Sequence, residues 1–284
     1  MRFILALICL IALNLYASDE DVFTWYITNW PPAFILDGPN KGKGFADELV
    51  DILEKEMPHY RHDRVILPYA RILKYIKAGN QGCYPTNIYD KKQDFGIVSA
   101  PTMLVAGHNV YIHKTNKSKF PGEGRASLTT LLENQNIKLG IRADLEFGST
   151  LSPILKAHSN NKNFVLRSGP DLIDGLVKML QQGRIDYLIE YNFVMKFVTA
   201  KLGFQMTDFI EIAIKENRDE FIRGAVECPD SKWGREVIVE INKVLQRVRT
   251  TPDFIALNKK WFVSESANNV FWNKYMELIL SVPQ

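Results

Sequence analysis

The chain has 284 residues, of which 46% are hydrophobic and 24% are charged. This composition is typical of a globular protein, and the length suggests one large domain or two of ordinary size. The formal net charge of +3 indicates no strongly basic surface, which argues against a nucleic-acid partner. The five histidines are scattered without a ligand pattern, so we predict neither a metal site nor a cofactor. The pair His59 and His62 we interpret as part of a solvated loop.

The first 17 residues have the pattern of a secretion signal. A positive start at Met1 and Arg2 precedes an apolar run, and Ala17 offers a small residue for cleavage. A membrane anchor is the alternative, but a spanning helix needs about 20 apolar residues, and this run is shorter. We therefore expect cleavage after Ala17 and an exported mature protein.

The most informative segment follows the signal. Alternating apolar residues from Phe23 to Ile27 predict a strand, which ends at Trp30 before two prolines. A glycine-rich turn then leads into an amphipathic helix that begins near Phe45. At the carboxyl end of a strand, Trp30 could contact a ligand or could cap the sheet as ordinary core.

The rest of the chain alternates predicted helices and strands, which is typical of an α/β protein. We predict a single strand within 104–113, interrupted at Gly107, and a polar loop over 114–126. Other predicted elements are helices over 71–79, 127–132, 171–183, 234–248, 253–262 and 268–281, and strands over 138–142, 185–190 and 221–227.

Two cysteines remain after processing, Cys83 and Cys228. An even pair in an oxidising compartment is a disulfide candidate, and two buried thiols are the alternative.

Several motifs in order resemble those of the bacterial extracellular solute-binding proteins of family 3. They span about Phe23 to Phe262, and each is weak alone. They are Trp30-Pro31-Pro32-Ala33-Phe34, Gly44-Phe45-Ala46-Asp47-Glu48-Leu49, Arg71, Ala78-Gly79, Asp90-Lys91-Lys92-Gln93, Val98-Ser99-Ala100-Pro101, Leu139-Gly140-Ile141, Gly183-Arg184-Ile185-Asp186 and Asn258-Lys259-Lys260-Trp261-Phe262.

The resemblance implies an α/β, two-lobed type II periplasmic-binding-protein fold, with a ligand cleft between lobes joined by a two-crossover hinge. Lobe 1 would comprise 18–110 and 223–284, and lobe 2 would comprise 111–222. Both cysteines would then lie in lobe 1, which supports the disulfide. The implied function is periplasmic capture of a small polar ligand, amino-acid-like or an organic anion, by a monomer that serves an ABC-type permease.

Departures from the family pattern bear on the ligand. Lys92 stands where amino-acid binders have an arginine, and lysine lacks the bidentate fork. Tyr191 stands where they have an acidic residue, and Glu190, one position earlier, points to the other face of its strand. Asp144 stands where lobe 2 commonly offers a hydroxyl. A zwitterionic α-amino acid is therefore a doubtful ligand, and an anion or a polar molecule with ring character stays open.

The candidate ligand-binding residues come from both lobes. Trp30, Tyr69 and Tyr84 offer aromatic faces, with aromatic core as the alternative. Arg71 offers a cation or forms a surface salt bridge, and Ser149 opens a helix or merely caps it. The full set is Trp30, Tyr69, Arg71, Tyr84, Asn87, Lys92, Asp144, Ser149, Glu190 and Tyr191.

Two other functions stay open. A sensor-type receptor needs the same closing cleft, but it would report to a membrane signalling partner. A periplasmic enzyme resembling cyclohexadienyl dehydratase could use Glu190 or Asp144 as a general acid. Because no nucleophile elbow, zinc motif or phosphate loop is present, we expect a binding protein rather than an enzyme.

Overall fold

The computed structural model describes residues 21–89, 96–120, 124–143, 145, 147–169, 171–217, 220–263 and 268–282. The predicted signal peptide, Lys92 and Asp144 lie outside these residues. Within the described part of the chain, no helix is long and apolar enough to cross a membrane. No cluster of potential metal ligands occurs among those same residues.

The first lobe begins with two parallel strands, β1 (Val22–Ile27) and β2 (Arg61–Ile66). Helix α1 (Phe45–Glu56) connects them, and α2 (Tyr69–Lys77) follows β2. The predicted solvated loop at His62 is wrong, because this residue lies in β2 and pairs with Phe23.

The start of α1 explains the glycine before it. The Asp47 side chain accepts hydrogen bonds from the backbone N–H groups of Gly44 (3.0 Å) and Ile35 (3.1 Å), which caps the helix. A Cβ atom on Gly44 would lie 2.2 Å from the carbonyl oxygen of Ala33, so no larger residue fits there. This packing fixes the turn that carries Trp30.

A second sheet of lobe 1 is built around the late strand β12 (Phe221–Pro229). It pairs antiparallel with β3 (Tyr84–Ile88), β4 (Gly96–Val98) and β5 (Met103–Ala106). A disulfide joins Cys83, just before β3, to Cys228 of β12, with an S–S distance of 1.99 Å. The expected pairing is confirmed.

The second lobe has a six-stranded sheet with helices on both faces. Its strand order is β7 (Arg125–Ala126), β11 (Phe209–Ile214), β6 (Asn109–His113), β10 (Tyr187–Glu190), β8 (Leu139–Arg142), β9 (Phe164–Arg167). Its helices are α3 (Leu128–Glu133), α4 (Gly148–Ala157), α5 (Leu172–Gln181) and α6 (Asn192–Lys201).

The chain crosses between lobes twice. The first crossover joins β5 to β6 at Gly107 and His108, and the second joins β11 to β12. The prediction of one interrupted strand over 104–113 is wrong, since its two halves belong to sheets in different lobes. The predicted loop over 114–126 is also corrected: it contains a 3₁₀ helix, Lys114–Lys119, and strand β7.

The chain ends in helices that pack on lobe 1. These are α7 (Lys232–Val248), α8 (Pro252–Phe262) and α9 (Asn268–Tyr275), followed by a π-helical turn, Met276–Leu280. Phe271, Tyr275 and Ile279 are fully buried in the main apolar core of lobe 1. The last predicted helix is therefore an integral part of this lobe.

Candidate ligand-binding cleft

In lobe 1, candidate side chains collect at one edge of the sheets. Trp30 follows β1, Tyr69 and Arg71 open the helix after β2, and Asn87 lies near the end of β3. Strands β1 and β2 are parallel, and Cys83 before β3 forms a parallel bridge with Trp25 of β1. Because the carboxyl ends of parallel strands meet at the same edge, these side chains share one border of the lobe.

Trp30 is exposed rather than part of the core. Its side chain is 47% accessible, and its ring contacts Phe45 edge-on at a centroid distance of 6.2 Å. Its carbonyl oxygen accepts hydrogen bonds from Ala33 and Phe34 in the turn that follows. A large apolar ring held by its backbone and left open to solvent suits stacking against a ligand.

The two candidate tyrosines form a layered pair. Tyr69 is 41% exposed, whereas Tyr84 beneath it is buried, and their ring centroids are 5.5 Å apart. Tyr84 therefore supports the surface tyrosine and is itself largely core. Burial and the nearby Glu227 carboxylate raise the pKa of Tyr69 and of Tyr84 above the ordinary value, so both hydroxyls are neutral donors at neutral pH.

Glu227 is a carboxylate in the floor of lobe 1 that sequence reasoning missed. It is fully buried on β12 and accepts a hydrogen bond from the side-chain amide of Asn87. Asn87 is thus buried and engaged rather than open to solvent. Arg71 is exposed and forms no ion pair with any described carboxylate, which contradicts the salt-bridge alternative within that part of the chain.

In lobe 2, the parallel strands β8 and β10 end side by side and present a second group of candidates. Glu190 is the last residue of β10, and Tyr191 is the cap of α6. Ser149 lies in the first turn of α4, and its hydroxyl is 3.4 Å from a carboxylate oxygen of Glu220. The cap of α4 is Phe147, so the interpretation of Ser149 as that cap is wrong.

Glu190 is almost fully buried and sits in an unusual electrostatic environment. One of its oxygens accepts the backbone N–H of Tyr191 at 2.9 Å. Burial raises the pKa of Glu190 to about 7, although this hydrogen bond and the positive charge of Arg142 act in the opposite direction. Its carboxyl group therefore exchanges a proton near neutral pH.

His108 and Arg142 belong to the same cluster and were not among the predicted residues. The His108 ring stacks on Tyr191 at 3.7 Å, and the Arg142 guanidinium lies 5.0 Å from the ring centre of Phe147. Burial, with a smaller effect from Arg142, lowers the pKa of His108 to about 3, so this imidazole is neutral at physiological pH. Arg142 ends a predicted strand, which is the signal that could have identified it.

An aromatic contact connects the two lobes beside this cluster. Tyr191 stacks on Phe193 at 5.3 Å, and Phe193 of α6 contacts Phe45 and Phe262 of lobe 1 at 5.5 and 5.6 Å. The lobe 2 site is therefore joined to lobe 1 by packed rings. A change in the position of Tyr191 would act directly on this contact.

Two lobes and two crossovers between them define the class of this fold: it is the two-lobed type II fold of periplasmic binding proteins. A histidine kinase sensor domain with similarity to periplasmic binding proteins aligns with a TM-score of 0.59 and 15% identity, covering 85% of this chain and 96% of that one. A probable amino-acid ABC transporter extracellular-binding protein from Bacillus subtilis aligns with a TM-score of 0.64 and 14% identity, covering 85% and 97%. At these identities the alignments establish the fold and nothing finer.

Comparisons of sequence, as distinct from structure, gave two results. No protein-family model matches the chain. A protein of Shewanella frigidimarina described as a putative sensor protein is 20% identical over 268 residues. That match covers 92% of this chain but 36% of the relative, so the chain spans about a third of the relative's length.

Proposed function

We propose that this protein is a periplasmic solute-binding protein that captures a small polar ligand between its lobes for an ABC-type transporter. The observation that carries the proposal is that each lobe presents candidate ligand-binding side chains at the carboxyl ends of its parallel strands. Lobe 1 presents the exposed rings of Trp30 and Tyr69, and lobe 2 presents the charged cluster around Glu190 and Arg142. An aromatic surface in one lobe and charged groups in the other suit a polar ligand with a flat part.

The ligand is amino-acid-like or an organic anion. Arg71 and Arg142 supply positive charge at the two edges, and the neutral hydroxyl of Tyr69 supplies a hydrogen-bond donor. Lys92 and Asp144 remain in the proposed ligand set on the basis of the resemblance alone. We keep the expected division of 18–110 and 223–284 for lobe 1 and 111–222 for lobe 2, with each boundary moved two residues earlier, since β6 begins at Asn109 and β12 at Phe221. Closure would then bring both groups onto one ligand.

A sensor-type receptor is the alternative, and the comparisons support it. The Shewanella relative is described as a putative sensor protein, and one of the similar structures is a kinase sensor domain. Transport and sensing differ in the membrane partner rather than in the cleft. Measuring uptake of labelled ligand in cells with and without the gene separates them, since a sensor leaves uptake unchanged when transporter expression is held constant.

An acid–base enzyme is a weaker alternative. The observation that favours it is the pKa of about 7 for Glu190, because a group that titrates near the working pH can donate or accept a proton. Incubating an identified ligand with the protein and analysing it by mass spectrometry tests this alternative. Recovery of unchanged ligand would contradict the enzyme alternative and support the binding function.

The first experiment is a thermal-shift screen of the protein purified from the periplasm. The panel comprises amino acids, organic acids, sugars, polyamines and aromatic carboxylates, and hits are confirmed by calorimetry. A ligand at about 100 times its Kd should stabilise the fold by about 2.7 kcal/mol. Absence of any shift across the panel would contradict the small-molecule proposal.

The same preparation tests the remaining expectations. The intact mass shows whether the first 17 residues have been removed, and light scattering shows whether the protein is a monomer. A mass that retains the signal would contradict cleavage after Ala17.

A further inference from the structure

A cavity of about 310 Å³ lies at the hinge, and none of the predicted ligand-binding residues lines it. Both crossovers border the cavity, through Gly107 and Asn217. Lobe 2 contributes Glu211, and lobe 1 contributes Phe262 and Phe271. Its volume falls at the lower end of the range of about 300–1,000 Å³ for small-molecule sites.

One wall of the cavity offers hydrogen-bond acceptors. Glu211 receives hydrogen bonds from the Asn109 amide and the Tyr111 hydroxyl, both at 3.1 Å, and from the Asn192 amide. No cation among the described residues forms an ion pair with it. The other atom of the Asn192 amide, Oδ1, is buried and has no donor in the described part of the chain.

This buried Oδ1 is informative because a buried acceptor without a donor is costly. Exchanging the oxygen and nitrogen of the Asn192 amide would place an acceptor against the Glu211 carboxylate, so the orientation is fixed. The Asn192 amide thus donates to Glu211, and a ligand with several N–H donors in the cavity would contact the same carboxylate. An ammonium group has three such donors and the complementary charge.

Other lining residues of the cavity are aromatic. The phenylalanines that line the cavity are Phe193, Phe221, Phe262 and Phe271. Phenylalanine faces attract organic cations and bury apolar groups. His108 also lines the cavity, and because it is neutral at physiological pH it adds no competing positive charge.

We propose that the hinge cavity is a second binding site, specific for a small primary amine with an apolar body. The ammonium group would contact Glu211, and the apolar body would lie against the phenylalanines. Arg125 is the one cation among the described lining residues, and its side chain is exposed. Arg125 allows a test of the ligand's charge. Removing its positive charge should not lower the affinity of a cationic ligand, but it should lower the affinity of an anionic one.

The test is calorimetric titration of the full chain with 2-phenylethylamine and, as a shape-matched anion, 3-phenylpropionate. We expect the amine to bind more tightly than the acid. Glu211→Gln should weaken the amine about tenfold or more, because a charge-assisted contact is lost. Arg125→Gln should leave amine affinity unchanged or increase it, and Glu133→Gln, an exposed change of the same charge in lobe 2, should have no effect.

Because Glu211→Gln alters a hydrogen-bond network, a second variant is needed to separate loss of ligand contact from a disturbed fold. Val270 lines the cavity and is 57% exposed, so Val270→Trp should narrow the cavity without disturbing the core. We expect it to weaken the amine while thermal unfolding stays unchanged. Equal binding of amine and acid, no binding of the amine, or loss of amine binding in Tyr69→Ala at the cleft would each overturn the proposal. The last outcome would mean that the amine binds in the cleft. Failure of the cleft proposal is a separate result, because it would appear as the absence of any hit in the ligand screen.

Discussion

Two tyrosines on α2 have similar exposure but different surroundings. Tyr69 is 41% exposed and contacts Tyr84 at the cleft edge, whereas Tyr75 is 37% exposed and contacts Tyr26 at 5.8 Å. Six positions along a helix turn a side chain by about 240°, so the two rings occupy different faces. They form a matched pair for testing which face binds ligand.

We expect Tyr69→Ala to weaken binding of the cleft ligand about tenfold, because an aromatic contact of about 1 kcal/mol and the apolar area of the ring are lost. Tyr75→Ala removes the same side chain from the same helix and should leave affinity unchanged. Calorimetry with a hit from the ligand screen measures both. Equal losses in the two variants would mean that α2 stability, rather than ligand contact, controls binding.

The protonation of Glu190 makes the stability of the folded protein depend on pH. Because its pKa in the folded protein is raised to about 7, the folded state holds this proton more tightly than the unfolded chain does. Its contribution to stability is therefore fully present at acidic pH and is lost as pH rises from about 4.5 to about 7. His108 acts in the opposite direction, because its lowered pKa makes stability fall as pH falls from about 6.5 towards 3.

We expect Glu190→Gln to increase the free energy of unfolding at pH 8 more than at pH 5, by on the order of 2 kcal/mol. The glutamine removes the buried charge that the protein must otherwise accommodate at high pH. Urea unfolding of the variant and the parent at both pH values measures the difference, in which the contribution of His108 cancels. Arg142, Glu220 and Tyr191 are the other charged or titratable groups that act on this cluster, and they are unchanged in the variant. A pH-independent effect would show that Glu190 is not the titrating group.

Part of the candidate site could be anticipated because strand ends can be recognised in sequence. Trp30 and Tyr191 each follow an apolar strand segment, so their position at a sheet edge was predictable. The position of Glu227 was not predictable, because a carboxylate inside a strand can be recognised as buried only when the residues that surround it are known. His108 was missed since its environment depends on Tyr191, which is 83 positions away in the chain.

At the scale of elements, the strand β2 shows where pattern reasoning fails. Most of its side chains are exposed, so no alternation of apolar residues marks it, and its parallel pairing with β1 determines its structure. The six-stranded sheet of lobe 2 has the opposite character. Its strands β8 and β10 are apolar and buried, and both were predicted.

Helix α9 has a structural role that sequence alone did not reveal. Arg249, buried at the end of α7, donates hydrogen bonds to the carbonyl oxygens of Ile279 (3.0 Å) and Pro101 (2.5 Å). The Tyr275 hydroxyl donates to the Arg249 carbonyl oxygen at 3.2 Å. The C-terminal helices are thus joined to the core of lobe 1 by both apolar packing and buried hydrogen bonds.

We expect Phe271→Ala to destabilise the protein by about 3–5 kcal/mol, because it leaves a cavity in the core beneath α9. The neighbouring residue Val270 is 57% exposed, so Val270→Ala should change the free energy of unfolding by less than about 0.5 kcal/mol. Urea unfolding compares the two. Similar small effects would mean that α9 contributes little to lobe 1.

At the scale of the whole molecule, the disulfide connects the two chain segments that form lobe 1. Cys83 and Cys228 are separated by 145 positions, and all of lobe 2 lies between them. In the chain-entropy model, closing a loop of this length stabilises the folded state by about 5 kcal/mol. We expect the double variant Cys83→Ala/Cys228→Ala to lose up to that amount, as measured by urea unfolding. Unchanged stability in a variant shown to lack the bond would contradict this.

The same bond closes a covalent ring of residues 83–228, which contains all of lobe 2 together with strands β3, β4 and β5 of lobe 1. A protease that cuts once within lobe 2 would leave a nicked protein whose two fragments stay attached through Cys83 and Cys228. Such a product would migrate as one species on a non-reducing gel and separate into two after reduction. The two segments of lobe 1 would stay linked through the disulfide, so a cut within lobe 2 would not release the segment that carries the C-terminal helices.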